Sequence, residues 1–220
     1  MENQKTIKRE IEFTGIALHS GRKVTVRWKP LSSNEGIIFR RVDLRGKPEI
    51  PASIDYVVNT LMCTELGNGS ANIKTVEHFL SALSGLGIDN LLVEVDGCEM
   101  PAMDGSSFPF VSIILKAGIK ELNESKKIIK ILKPIEVAKE GKKTTFMPSD
   151  SIEYGFLIDY NHPLIGKQEY NFVFSFEGYI SEISQARTFG FLEEVEYLKR
   201  NNLALGGSLE MQLCLIKKKY

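Results

Sequence analysis

Cysteine is scarce and unpatterned: Cys63, Cys98 and Cys214 are odd in number, widely spaced and form no CxxC pair. A disulfide framework and a thiolate zinc cluster are both excluded on that ground, and the three read as free thiols with mostly structural roles. Long apolar runs are missing as well. Nothing is long enough to span a bilayer, and residues 1–12 are polar and charged without the apolar core of a signal peptide. A cytoplasmic chain with no integral membrane segment is the expectation. Nor is there an excess of one charge: Lys plus Arg and Asp plus Glu both number 28, leaving no global field to attract nucleic acid or an acidic membrane. Histidine occurs only as His19, His78 and His162, which bounds any imidazole chemistry. What remains is the composition of an ordinary globular chain, 220 residues of which 43% are hydrophobic and 25% charged, enough for one large domain or two small ones.

The most informative stretch is Lys74-Thr75-Val76-Glu77-His78-Phe79-Leu80. Val76, Phe79, Leu80, Leu83 and Leu86 have the one-sided spacing of a helix packed on a core, which predicts a helix from Thr75 to about Leu86. Thr75 is the expected N-cap, and Glu77 and His78 then sit side by side in the first turn, near the positive end of the helix dipole. Such a pair can be a metal ligand beside a general base, although an adjacent Glu-His on a soluble helix is more often a solvated face or a satisfied local hydrogen bond.

Before this helix, alternation at Ile7, Ile11 and Phe13, then at Val24, Val26 and Trp28, predicts a half-buried antiparallel pair joined by the turn Gly15 to Gly21, which holds His19. Ile37 to Phe39, Ile50 to Ile54 and Thr60 to Thr64 read as further strands. After it, Gly85-Leu86-Gly87 is a stop signal, and Asn90 to Val95 an apolar strand. A second helix is predicted from the Ser107 cap and Pro109 to Ala117, with Asp104 in the loop ahead of it as a loop or capping acid. The polar interval Glu121 to Lys127 is the expected domain boundary, giving residues 1–122 and 123–220. Beyond it, Ile128 to Leu132, Ile135 to Val137, Thr144 to Met147, Ile152 to Tyr160 and Tyr170 to Phe176 predict a second sheet, and Leu192, Val195 and Leu198 a small amphipathic helix. The fold class is α+β.

Several stretches together resemble one family, the zinc-dependent UDP-3-O-acyl-N-acetylglucosamine deacetylases of lipid A synthesis in Gram-negative bacteria. They are Phe13 to Gly21, Lys74 to His78, Gly87-Ile88-Asp89-Asn90, Pro101 to Ser106, Ala186-Arg187-Thr188-Phe189-Gly190-Phe191 and Gly206-Gly207-Ser208-Leu209, in the family's order. The resemblance implies two similar α/β-sandwich domains, each a sheet layered with helices, with the active site between them. It implies a hydrolase that removes the N-acetyl group of a UDP-linked acylated amino sugar, acting as a monomer. His78 resembles a ligand of the single catalytic Zn2+, Glu77 the general base on the metal-bound water, and Thr188 the residue that steadies the oxyanion. Leu18, Met62, Cys63, Phe189, Gly207 and Ser208 match positions that contact substrate, and the interval of about 190–208 resembles the insert that shapes the acyl passage.

The family pattern departs after Gly206-Gly207-Ser208. The family draws its other two zinc ligands from a later His-x-x-x-Asp and its general acid from a histidine beyond that, and none of these is in the sequence. Where the family continues Glu-Asn-Ala-Ile-Val-Leu-Asp, the chain reads Glu210 to Tyr220, the product expected if one base is lost from the run of A at the Glu-Asn codons. The expectation is a second domain incomplete at its C-terminus and an impaired deacetylase. The alternative is a non-catalytic protein that keeps a sugar-nucleotide or acyl cleft. Another hydrolase, using Cys63 or a serine with His19, is disfavoured, since no nucleophile motif of the Gly-x-Ser-x-Gly type occurs.

Overall fold

The computed structural model describes residues 2–191, 196, 198, 200, 203–208 and 213–215. The chain runs through β1 (Asn3–Ile7), β2 (Ile11–Ile16), β3 (Lys23–Pro30), β4 (Ile37–Arg41), β5 (Glu49–Pro51), β6 (Val57–Asn59), β7 (Glu65–Gly67) and β8 (Asn72–Lys74). There follow α1 (Glu77–Leu86), β9 (Leu91–Val95), α2 (Phe108–Ala117) and β10 (Ile119–Ser125). The central sheet has the order β2-β3-β9-β4-β5, with β9 parallel to β4 and the other pairs antiparallel. The predicted hairpin is β2 with β3, in the register Phe13 to Val26.

The sheet needs cover because its inward residues are large and apolar. Val24, Val26 and Trp28 alternate inward along β3, and the helices bring Phe79, Leu83 and Leu86 from α1 and Phe110 and Ile114 from α2 to meet them. Four rings form the centre: Trp28 lies 5.2 Å from Phe79, which lies 5.8 Å from Phe39 and 5.7 Å from Phe110. Offset and edge packing of this kind adds to the burial of apolar area. The site helix is thus fixed on its sheet by the spacing read from the sequence.

Several local expectations are corrected. Thr75 is not the helix cap: its backbone is left-handed at φ 58, and Val76 occupies the cap position with no side-chain cap bond. Ser107 sits at the cap of α2 without a capping hydrogen bond. Residues 60–64 are bend and coil, and the strand there begins at Glu65. The polar interval from Glu121 is mostly strand, since β10 crosses position 122/123 and pairs with β1 as far as Ser125. Only Ile119 and Leu122 along β10 are partly covered, too few to show as alternation in the sequence.

The second half is looser. β11 (Ile135–Lys139) pairs with β12 (Lys142–Phe146), and β13 (Glu153–Asp159) with β14 (Lys167–Val173), as separate two-stranded ribbons rather than one sheet among the described residues. Ile128 to Leu132 is not strand; Ile129 is 89% exposed. A three-residue helix α3 (Phe176–Gly178) continues into a π-turn segment, Tyr179–Ile183. β15 (Phe189–Phe191) pairs in parallel with β16 (Leu213–Leu215). Most of the helix read over Leu192 to Leu198 lies outside the described residues, as do eight of the nineteen positions of the acyl-passage interval. No described helix is long and apolar enough to cross a membrane.

Tyr154 and Phe156 on one face of β13 join Phe172, Phe174, Tyr179 and Ile183 around an apolar cavity of about 210 Å³ that also touches Ser81, Ser84 and Gly85 on the back of α1. The site helix is therefore packed by the first half on one side and touched by the second half on the other.

Candidate active site

The entry to α1 is held at several points. Lys74 donates its amide to the Cys98 carbonyl at 2.9 Å and accepts from the Met100 amide at 2.9 Å, and Thr75 donates to the Thr64 carbonyl at 3.1 Å. The helical ladder starts with Leu80 donating to Val76 at 2.9 Å. Glu77 and His78 fall in the first turn as read from the sequence. Glu77 Oε1 accepts from the Thr64 amide, while Oε2 is buried with no hydrogen-bond partner among the described residues. Burial pushes the His78 imidazole below its ordinary pKa, against the upward pull of the Glu77 and Asp104 carboxylates. Neutral imidazole is the form that ligates metal.

Facing His78 is the segment Ala186 to Phe191. Arg187 Nε donates to the Asp104 carbonyl at 2.8 Å and the Thr188 amide donates to the Gly105 carbonyl at 2.8 Å, so the loop before α2 holds this strand beside the helix. Between them opens a cleft of about 520 Å³ lined by His78, Tyr160, Arg187, Thr188, Phe189 and Phe191 among others. Its rim is aromatic, with Tyr160 5.6 Å from Phe189 and His162 5.4 Å from Phe191. Asp104 serves its loop, as expected: Oδ1 accepts from the Ser106 amide at 2.9 Å and hydroxyl at 2.7 Å.

His78, Thr188 and Phe189 thus share one cleft, although they are distant in sequence. Met62 and Cys63 do not line it; they lie on the loop ending at Thr64. Met62 is left-handed at φ 65, and the Cys63 thiol is pushed up by burial and by the Glu77 and Glu99 carboxylates, against hydrogen bonding from Thr75. Leu18 and Gly207 form a third group, since Gly206 donates to the Leu18 carbonyl at 2.9 Å and a Cβ on Gly207 would lie 3.8 Å from Leu18 Cδ1; Ser208 follows, exposed. Only glycine fits at 206, where a Cβ would come 2.2 Å from the Ala17 carbonyl oxygen.

Sequence reasoning assigned no role to Arg187, Tyr160, Phe191 or Glu99, all of which shape this region. Arg187 stood beside Thr188 in a recognised stretch, and that adjacency was the available signal. His19 is buried with both ring nitrogens unpartnered among the described residues.

A catalytic zinc takes about three protein ligands. The described residues contain no group of three or more His, Cys, Asp or Glu side chains placed to hold a metal, so the donors present around His78 do not fit a complete zinc site.

A carboxylate and a neutral imidazole on the first turn of a helix, with a threonine on the facing wall of the same cleft, are the parts of a hydrolase acting on a carbonyl compound. The family model described as UDP-3-O-acyl N-acetylglycosamine deacetylase matches residues 4–220, and the chain belongs to that family. Among its relatives, a UDP-3-O-acyl-N-acetylglucosamine deacetylase of Xanthomonas campestris pv. campestris is 46% identical over 98% of this chain and 72% of its own length. Proteins of the same name from Nautilia profundicola and Legionella pneumophila are 49% and 48% identical, over 98% and 96% of this chain and 73% and 70% of their own lengths. The family is generally zinc-dependent.

Proposed function

We propose that this chain carries the general-base wall of an N-deacetylase site for a UDP-linked 3-O-acyl-N-acetylglucosamine, the substrate in its relatives' names, and that it does so as a cytoplasmic monomer. The observation that supports it best is the meeting of His78 with Thr188 and Phe189 across one cleft, with Glu77 next to His78 on the helix. In this reading Glu77 Oε1 is fixed by the Thr64 amide, and the buried, unpartnered Oε2 takes the proton from the water that attacks the acetamide carbon. Thr188, held through its amide at Gly105, supports the developing oxyanion. Phe189 contacts the substrate in the cleft, and Leu18, Met62, Cys63, Gly207 and Ser208 contact the parts of it that extend beyond the cleft. The site lies between a first unit, which β10 extends to Ser125, and the second unit that follows it, with about 190–208 guiding the acyl chain. His78 would be one ligand of a zinc, which would supply Lewis acidity there; the described residues bring no group of three donors to complete its site.

The test is acetate release from that substrate with added Zn2+, by the 220-residue chain and by the chain extended with the part of the Nautilia relative that lies beyond the match. The extended protein is expected to release acetate and to lose about 10²–10⁴-fold in rate as Glu77→Gln; zinc loading without any release sinks the reading. For the chain alone, negligible turnover is expected. The lack of a three-donor cluster among the described residues favours one second reading, a non-catalytic binder of the same ligand. It predicts metal-free binding of the UDP-sugar that Glu77→Gln leaves intact.

A further inference from the structure

Glu99 is 2% exposed, and no cation pairs with it among the described residues. Its carboxylate accepts three neutral donors instead: the His19 amide at 2.7 Å and the Thr75 hydroxyl at 3.2 Å on Oε1, and the Ser20 amide at 3.0 Å on Oε2. A carboxylate this buried is expensive unless every lone pair is used. These donors come from two separate places, the turn after β2 and the residue that leads into α1.

That residue is in an unusual state. Thr75 is β-branched, buried and left-handed at φ 58, a conformation that such a side chain adopts only when its surroundings impose it. Three interactions bear on it here: its amide on the Thr64 carbonyl, its hydroxyl on Glu99, and its hydrogen bonding with the Cys63 thiol. Thr64 closes the circuit, because its own amide is the donor that holds Glu77 Oε1. Glu99, Thr75, Thr64 and Glu77 therefore form one chain of contacts running from the His19 turn to the proposed base.

We infer that Glu99 is a positioning residue: through the Thr75 hydroxyl it holds the left-handed entry to α1, and so sets where the Glu77 carboxylate and the His78 ring sit relative to the His19 turn. This rests on the role proposed for Glu77 and His78. A simple loop anchor would need only the bonds to residues 19 and 20; the bond to Thr75 gives the carboxylate its hold on the helix.

The experiment is residue-resolved amide hydrogen exchange by NMR on the full chain, which reads position whether or not the protein turns over substrate, so it can fail independently of the acetate assay. Glu99→Gln is expected to speed exchange about tenfold at His19, Ser20 and Thr64, with Leu91 to Val95 in the central strand unchanged. Faster exchange at 19 and 20 with Thr64 unchanged overturns the inference and leaves Glu99 a loop anchor. If Glu99→Gln loosens the central strand too, a second pair decides. Thr75→Val, which keeps shape and loses the hydroxyl, must free the Thr64 amide, while Thr75→Ser, which keeps the hydroxyl, must protect it; equal behaviour of the two overturns the proposal. In the extended protein, Thr75→Val should lower kcat with KM little changed, and Thr75→Ser should restore it.

Discussion

Gly85 offers a test of how the site helix is wedged between the two halves of the molecule. In an ordinary helix interior, Gly to Ala stabilises by about 1 kcal/mol, because alanine has less backbone freedom to lose. Here an added Cβ would lie 2.2 Å from Cε1 and 2.3 Å from Cδ1 of Tyr179, inside the ring's own volume. The ring is rigid and 5% exposed, and its hydroxyl is 2.8 Å from Ser81 Oγ on the same helix, so it cannot slide aside without giving up that bond. Overpacking of a closed site costs about 1–3 kcal/mol, and the lost hydrogen bond about 1 kcal/mol more. Against the helix gain, Gly85→Ala is expected to destabilise by roughly 2 kcal/mol, the opposite sign to its intrinsic propensity. The assay is urea unfolding followed through Trp28, the single tryptophan and fully buried. Placing the same change on a Tyr179→Ala background should reverse the sign, to a gain of about 0.5–1 kcal/mol, since the obstacle is gone. A stabilising Gly85→Ala in the unmodified chain would refute the packing of Tyr179 on α1.

Two further outcomes follow from charge and exposure. Hydrogen bonding from Arg41 holds the Asp43 carboxyl below its ordinary value of 3.8, outweighing the upward effect of burial. A depressed folded-state pKa contributes stability that is present above that value and lost as pH falls through the folded one. Acid titration of unfolding should therefore show wild type losing up to about 1 kcal/mol more than Asp43→Asn from about pH 4 downward; parallel curves would remove the pair from the ledger. On the outer face of the β13–β14 ribbon, Leu157 is 59% and Val173 64% exposed. Leu157→Lys with Val173→Lys should cut concentration-dependent light scattering while moving the unfolding free energy by less than about 0.5 kcal/mol each; scattering that does not change would show that this face is not the sticky one.

The first half was legible because its signals were redundant. Inward residues of β3 alternate strictly, α1 carries its apolar positions at helical spacing, and each pattern has a buried partner that enforces it. In the second half the same alternation was present without that enforcement. Phe156 and Ile158 look inward by period, yet the ribbons they belong to are not joined into one sheet among the described residues, and in Ile128 to Leu132, as apolar as any strand, Ile128, Ile129 and Leu132 lie exposed. Apolar content shows that a segment seeks cover; it does not say which neighbour supplies it.

At the site, residue types were readable and their connections were not. Glu77 and His78 could be picked out from sequence because helical geometry alone makes neighbours share a turn. That His78 meets Thr188 depends on the loop at Asp104 and Gly105 reaching across to Arg187 and Thr188, contacts that span about eighty positions of chain and leave no local trace. The misreading of Thr75 is the most instructive. Threonine before a helix is a good cap by propensity; here its hydroxyl bonds to Glu99 rather than to the helix, and its backbone is left-handed. Had Thr75 capped α1, its hydroxyl would be spent within the helix and nothing would tie Glu77's position to the His19 turn. The breach of local preference therefore falls where the proposed chemistry needs its carboxylate fixed, one bond away from the buried acid that holds it.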